Sequence, residues 1–535
     1  MPVVDAMGDP HSYLFSNNVV PSAVEAASIE LEVAELTNAI CKLRSQLQER
    51  RRRLRQRLGV LSSVRRIPLE ILGEIFNIAL PALSDRQGRA ALLKVCLVCR
   101  AWRDAALLKH RLWSRIQVDL DTGLSYEKVV AWHRRSGGIR RALFVIAGCR
   151  DSHSADTPCQ LQHPTLAKLL TEGLSLDHIS IDNIGQQCFG NMLASLADRK
   201  AESPALRPWD SIRSLALAFR RGWNESGNAL EDSAFLRIPS SVSSFKMTVN
   251  TFTFPLDLDT RLRVPPSLLA RLTTIHFSCD WDVTQLATAL RYCINVQKLT
   301  ICYRNMARNR DPVDPIPTEF SGPGFVLPNL HTLNLCEIPT AVTEVFQFLR
   351  APALTELRIQ FDRGDWLYQG ELAPALKDFV KKSKCEATLR SFCLKGVCLV
   401  TEELADILWN FPFVTKLTLD LVDPFDSTSS SDMRRCFSLL LRPPEDTSNL
   451  PLLPRLEVLQ LLGVRPEFPL HEVFDFLGDR RALNGTEAQP DTLKRLKMTY
   501  RTLCYSPLPV AVDEGNNAQK LRRSGVSVSF GRSSP

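Results

Sequence analysis

Cys96 and Cys99 stand in the stretch CLVC, a spacing at which two thiolates can hold a zinc ion. A structural zinc needs four ligands, and no second Cys or His pair follows at finger-like spacing, so both sulfurs are read as packing groups on the apolar stripe of a helix. His133, His163 and His276 are each alone in their segments, and a surface or core role fits them better than proton transfer. The remaining chemistry-bearing run is ERRRRLRQR, residues 49–57, which could bind phosphates, serve as a nuclear-import signal, or form a solvated helix face. No aromatic residues interleave to stack on bases, which makes nucleic-acid binding the weakest of the three. With no nucleophile motif, acid–base pair or phosphate loop, the sequence reads as a non-enzyme without metal or cofactor.

The elements that carry these residues fall into zones. The chain has 535 residues, 44% of them hydrophobic, with a net charge of +8. That charge is local, because ten Lys or Arg and one acid lie between Lys42 and Arg66. Asp5 and Asp9 stand where a secretory signal would be basic, no apolar run approaches membrane-spanning length, and the fifteen cysteines are scattered. These features fit a soluble protein of the cytoplasm or nucleus with no membrane contact. Residues 1–22 are expected to be disordered.

In residues 23–60, Ile29, Val33, Leu36, Ile40, Leu43, Leu47 and Leu54 recur in steps of four and three, with Arg50 in the one seam slot that breaks the run. That period is a coiled coil's. So narrow a stripe needs a partner, either a second copy of the chain or a helix elsewhere in it.

Residues 64–115 begin with IPLEILGEIFNIAL, whose apolar side chains spread over roughly 200° of a helix, where one core needs little more than 100°. The surplus implies cover from two sides. A second helix is expected over GRAALLKVCLVCRAWRDAALL, with Leu112 and Trp113 closing the unit before a strand at Ile116–Leu120. In order, IPLEILGEIFNIAL, VCLVCRAWRDAAL and RLW resemble the F-box, the trihelical module that docks on the Skp adaptor of cullin-RING ubiquitin ligases. YEKVVAWHRRSGGIRRALFVI, with Trp132, Arg135, Ser136 and Gly137, looks like the segment that follows the F-box in large families of mushroom-forming fungi. The resemblance implies a docking face of Ile67, Pro68, Ile71, Leu72, Ile75 and Phe76, with Val98, Trp102 and Trp113 serving either docking or core.

Residues 116–505 repeat an apolar residue, two variable, one apolar, one variable and one apolar, as in NLHTLNL and RLEVLQL. Eleven copies start at Leu176, Ile212, Val242, Leu272, Val296, Leu330, Leu354, Leu389, Val414, Leu456 and Leu493, with helical stretches between several of them. A strand and helix so repeated is the pattern of an irregular leucine-rich-repeat-like solenoid. In L-x-L the variable residue leaves the core, which would expose Thr300, Asn334, Arg358, Cys393, Thr418, Gln460 and Lys497 on a concave face. That row would either bind a target protein or keep one face wet. The Asn or Cys that such repeats place after the strand is absent from most copies. Residues 307–328 and 423–432 read as long loops, and 506–535 as a disordered tail.

The fold expected is therefore α/β: a coiled-coil helix, a small all-α F-box and a strand-helix solenoid. The resemblance implies a substrate-recognition subunit, with the Skp adaptor, a cullin scaffold and an unknown target as partners. The alternative is a coiled-coil oligomeric scaffold or a protein-interaction module with no ligase role.

Overall fold

The computed structural model describes residues 14, 17, 19–81, 85–123, 125–148, 159–202, 207–220, 233–249, 264–279, 283–303, 324–338, 345–361, 372–397, 401–421, 453–464, 473, 476–477, 492–500, 519, 522–523 and 525–532. Most of 307–328 and all of 423–432 lie outside these residues, as do most of 1–22. The chain divides into two compact units, 1–80 with 92–109, and 81–91 with 110–535.

The first unit opens with helix α1, Ala23–Leu61. Its start is set by a capping box: Ser22 N donates to Glu25 Oε2 at 2.8 Å while Ser22 Oγ accepts from Glu25 N at 3.4 Å. Not one residue of α1 is buried. Helix α2, Leu69–Ala79, starts at Pro68, whose carbonyl accepts from Leu72 N at 2.9 Å. The segment expected as one second helix is two, α3 (Arg86–Val98) and α4 (Arg100–Leu108). Between them Cys99 adopts extended backbone, φ −164° and ψ 173°, and its carbonyl receives the first bond of α4 from Arg103 N.

Among the described residues of the second unit, fourteen strands form one parallel sheet whose order is the order of the chain. They are β1 (Arg115–Asp119), β2 (Ala142–Ile146), β3 (His178–Ile184), β4 (Ser214–Phe219), β5 (Ser244–Val249), β6 (Thr274–Cys279) and β7 (Lys298–Tyr303). The others are β8 (Thr332–Ile338), β9 (Glu356–Phe361), β10 (Ser391–Val397), β11 (Lys416–Leu421), β12 (Val458–Val464), β13 (Arg495–Tyr500) and β14 (Ser527–Arg532). The last lies within the stretch expected as a disordered tail. Val526 and Val528 are buried there at alternate positions, a period-two signal too short to stand out in sequence.

Strands β3 to β13 follow the eleven repeat starts one for one, and all eleven start residues are buried. Behind each, two further apolar side chains per strand form continuous buried rows, for example Leu299, Leu333, Leu357, Phe392 and Leu417, and Ile301, Leu335, Ile359, Leu394 and Leu419. Each such side chain contributes about 1.5–3 kcal/mol by leaving water. Helices α9 (Leu372–Ser383) and α10 (Thr401–Trp409) pack on one another. The longer helices before them are α5 (Tyr126–Arg134), α6 (Pro164–Thr171), α7 (Gln186–Glu202) and α8 (Val283–Leu290), with short ones at Pro266–Arg271 and Val345–Phe348.

Two devices hold the repeats in register. At the foot of the strands one carbonyl accepts from two successive amides of the next repeat, as when Ser243 O takes Thr273 N and Thr274 N, and Thr273 O takes Gln297 N and Lys298 N. Just before the first apolar residue of a repeat, a side chain donates to the preceding repeat's turn: Ser241 Oγ to Ile212 O at 2.7 Å, Asn295 Nδ2 to Ala270 O at 2.7 Å, Thr388 Oγ1 to Leu354 O at 2.9 Å and Thr492 Oγ1 to Leu456 O at 2.9 Å. These donors do the work of the missing Asn ladder from the opposite end of the strand.

Candidate interaction surfaces

In the first unit α2 and α4 touch closely. Gly73 makes this approach feasible, since a Cβ there would lie 3.1 Å from Ala105 O and 3.2 Å from Lys109 Cβ. Phe76 packs on Trp102 with ring centroids 5.1 Å apart, Ala105 and Ala106 are fully buried, and Lys109 pairs with Glu74 at the far end. A lone glycine in an otherwise helical pattern is the only sign of this approach in the sequence.

That packing divides the anticipated docking residues. Leu72 (3% exposed) and Phe76 (4%) are core, and so is Trp113. Ile71 (53%) and Ile75 (42%) face outward, joined by Ile78 (81%), which completes a four-then-three helical stripe. Pro68 and Val98 are exposed, while Ile67 and Trp102 are half-buried. Leu93 and Leu97 (84%) on α3, which the sequence did not single out, add to the exposed apolar surface. Cys99 is exposed as well, so the reading of both CLVC sulfurs as packed groups does not hold for it.

Trp113 belongs to the second unit, at the first edge of the sheet. Its ring lies 4.7 Å from that of Trp132, with the Arg135 guanidinium 4.7 Å from its centroid, and Trp132 Nε1 donates to Arg115 O at 3.2 Å. Arg141 donates to Ser136 Oγ at 2.9 Å and to Gly137 O at 2.8 Å. The motif Trp132, Arg135, Ser136, Gly137 is thus structural, closing the end of the sheet.

Residues 64–118 match the F-box-like family.

F-box-like domains generally bind the Skp adaptor. A search of curated proteins found no match to this chain.

On the sheet, the anticipated row is in line. Thr300, Asn334, Arg358, Cys393, Thr418, Gln460 and Lys497 are successive register partners, and the row continues to Lys246 and His276 on one side and Ser529 on the other. Exposure is another matter: Thr300, Cys393 and Thr418 are buried. Thr300 sits between the longer His276 and Asn334, and the adjoining Cys393 and Thr418 together between Arg358 and Gln460, with Asn334 Nδ2 donating to Thr300 Oγ1 at 3.2 Å and Thr418 Oγ1 to Gln460 Oε1 at 3.1 Å. Arg358 and Lys497 are the exposed members, and Asn334 and Gln460 are half-buried.

The histidines have structural surroundings. His133 is a core residue, its pKa lowered to about 4 by burial and by the nearby Arg141 charge. His163 Nδ1 accepts from Thr165 N at 3.2 Å and caps α6. His276 Nε2 lies 3.9 Å from Cys302 Sγ, and Cys302 is the register partner of Cys336. Among the described residues no group of three or more His, Cys, Asp or Glu is placed to hold a metal, and no helix is long and apolar enough to cross a membrane.

Proposed function

We propose that the protein is a non-enzymatic substrate receptor of a Skp-cullin-F-box ubiquitin ligase in the cytoplasm or nucleus. The F-box docks on the Skp adaptor, the cullin scaffold follows through it, and the parallel sheet, a leucine-rich-repeat-like solenoid, holds a target protein. Its contribution is proximity, keeping a target lysine near the charged conjugating enzyme. The segment with Trp132, Arg135, Ser136 and Gly137 supports placing it with the F-box families of mushroom-forming fungi.

The observation that carries the reading is the stripe Ile71, Ile75 and Ile78 left open on a helix whose other face is already filled by Leu72 and Phe76. Large apolar side chains clustered in water on a helical module favour a protein partner. The decisive experiment is co-purification of the full chain with purified Skp adaptor. Wild type should bind, and Ile71→Asp with Ile75→Asp should lose binding while keeping its circular dichroism spectrum and melting temperature. A wild-type chain that ignores the adaptor removes the proposal.

A second reading, an oligomeric scaffold built on a coiled coil, is favoured by the exposed stripe of α1. Both can hold in one molecule, because the two surfaces use different residues.

A further inference from the structure

Helix α1 is 39 residues long and wholly unburied, with Val33, Leu36, Ile40, Leu43, Leu47, Leu54 and Leu58 all exposed. In heptad terms Ala26, Val33, Ile40, Leu47, Leu54 and Leu61 take the a positions, and Ile29, Leu36, Leu43, Arg50 and Arg57 the d positions. Charge along the helix is split. Residues 23–41 carry Glu25, Glu30, Glu32 and Glu35 and no Lys or Arg, whereas 42–61 carry Lys42, Arg44, Arg50, Arg51, Arg52, Arg53, Arg55 and Arg57 against Glu49 alone. Glu49 is engaged within its own helix by Arg52 and Arg53, both at 2.8 Å, and offers little further neutralisation.

We propose that α1 pairs with α1 of a second copy of this chain, and that the two helices run antiparallel with Ile40 opposite Leu43 of the partner copy. In this register every a residue from Ala26 to Leu54 meets a d residue. Ile29 meets Leu54, Leu36 meets Leu47, and Ile40 meets Leu43, twice each by symmetry. The two seam arginines are also accommodated. Arg50 falls opposite Val33 beside Glu30 and Glu32 of the other copy, and Arg57 opposite Ala26, whose small side chain leaves room for the arginine stem. On the flanks the e positions Glu30 and Arg51 face each other across the pair, as do the g positions Glu32 and Arg53.

Parallel pairing in register does the reverse. It stacks Arg50 on Arg50 and Arg57 on Arg57 in the seam, and lays two strongly basic halves side by side. Like charges so placed repel, and in a partly desolvated seam the repulsion is stronger than at the surface. The Val33 and Ile40 with Leu36 and Leu43 distribution favours two strands where helices run parallel, but the charges set the direction here. The proposal rests on the coiled-coil reading and is independent of the ligase reading.

The test uses the full chain at low and at high salt. Sedimentation equilibrium should give a dimer that weakens as salt rises. Glu30→Arg with Glu32→Arg should weaken the dimer at least about tenfold at low salt, and Arg51→Glu with Arg53→Glu should do the same. Mixing these two variants should restore association, since each supplies the charges the other now lacks. Orientation is read with a spin label carried by a non-canonical amino acid at residue 28, an outward c position. Antiparallel helices place the two labels about 40 Å apart along the axis at 1.5 Å per residue. A monomer, whether because α1 is covered by its own chain, by nucleic acid or by an unrelated helix, overturns both the proposal and the coiled-coil self-association beneath it. A dimer with labels within about 20 Å overturns the antiparallel arrangement while leaving self-association standing.

Discussion

Leu72 and Ile71 are neighbours in sequence with opposite duties, and substitutions should separate them. Leu72→Ala removes packing from a fully enclosed site and should cost about 2–5 kcal/mol, seen as a lower midpoint in urea unfolding. Ile71→Ala should cost little stability and act on partner binding instead. His133 makes a different prediction. Its folded pKa of about 4 lies below the usual value of 6.5, so the native state holds it neutral while the unfolded chain takes up a proton. Stability from this site is complete above pH 6.5 and is lost as the pH falls toward 4, by up to about 3 kcal/mol. Unfolding midpoints measured at pH 7.5 and 4.5 should differ more in wild type than in His133→Phe. Equal dependence in both would show that the histidine is not held neutral.

At the scale of elements, the helix periods and the repeat starts were legible because burial imposes them on residue type: every third, fourth or second position must be apolar. What the sequence hid were choices made by contact. The split of α3 from α4 at Cys99 leaves no Pro or Gly mark, and the close approach of α2 and α4 at Gly73 needs the partner helix to be seen. Gly73→Val should therefore destabilise the first unit by about 1–3 kcal/mol through overpacking, and a helix-propensity gain would be overridden. The side-chain ladder was hidden for another reason: its members are Ser, Asn and Thr, alike in donating and unlike in name. Thr388→Val keeps shape and removes the donor, and should lower stability by about 1 kcal/mol in urea unfolding. Gly396 marks the end of β10 with φ +70°, where a Cβ would come within 2.7 Å of Phe361 O, so a side chain there meets both strain and backbone.

At the scale of the whole molecule, three surfaces are distinct. The α1 stripe, the α2 and α3 apolar surface and the polar rows of the sheet are made by separate residues, so changes to one should leave the others working. The sheet's row was partly legible in the L-x-L alternation, which gave its register. Its exposure was not, because whether Thr300 or Thr418 reaches solvent depends on the length of the side chain one strand away. In the proposed function a foreign helical subunit covers the apolar surplus of the F-box-like helices. Amide hydrogen exchange of the full chain with and without purified Skp adaptor tests this most directly. Docking should add protection concentrated over residues 67–80 and 93–98, with the sheet unchanged; identical exchange in both samples at saturating adaptor would contradict it.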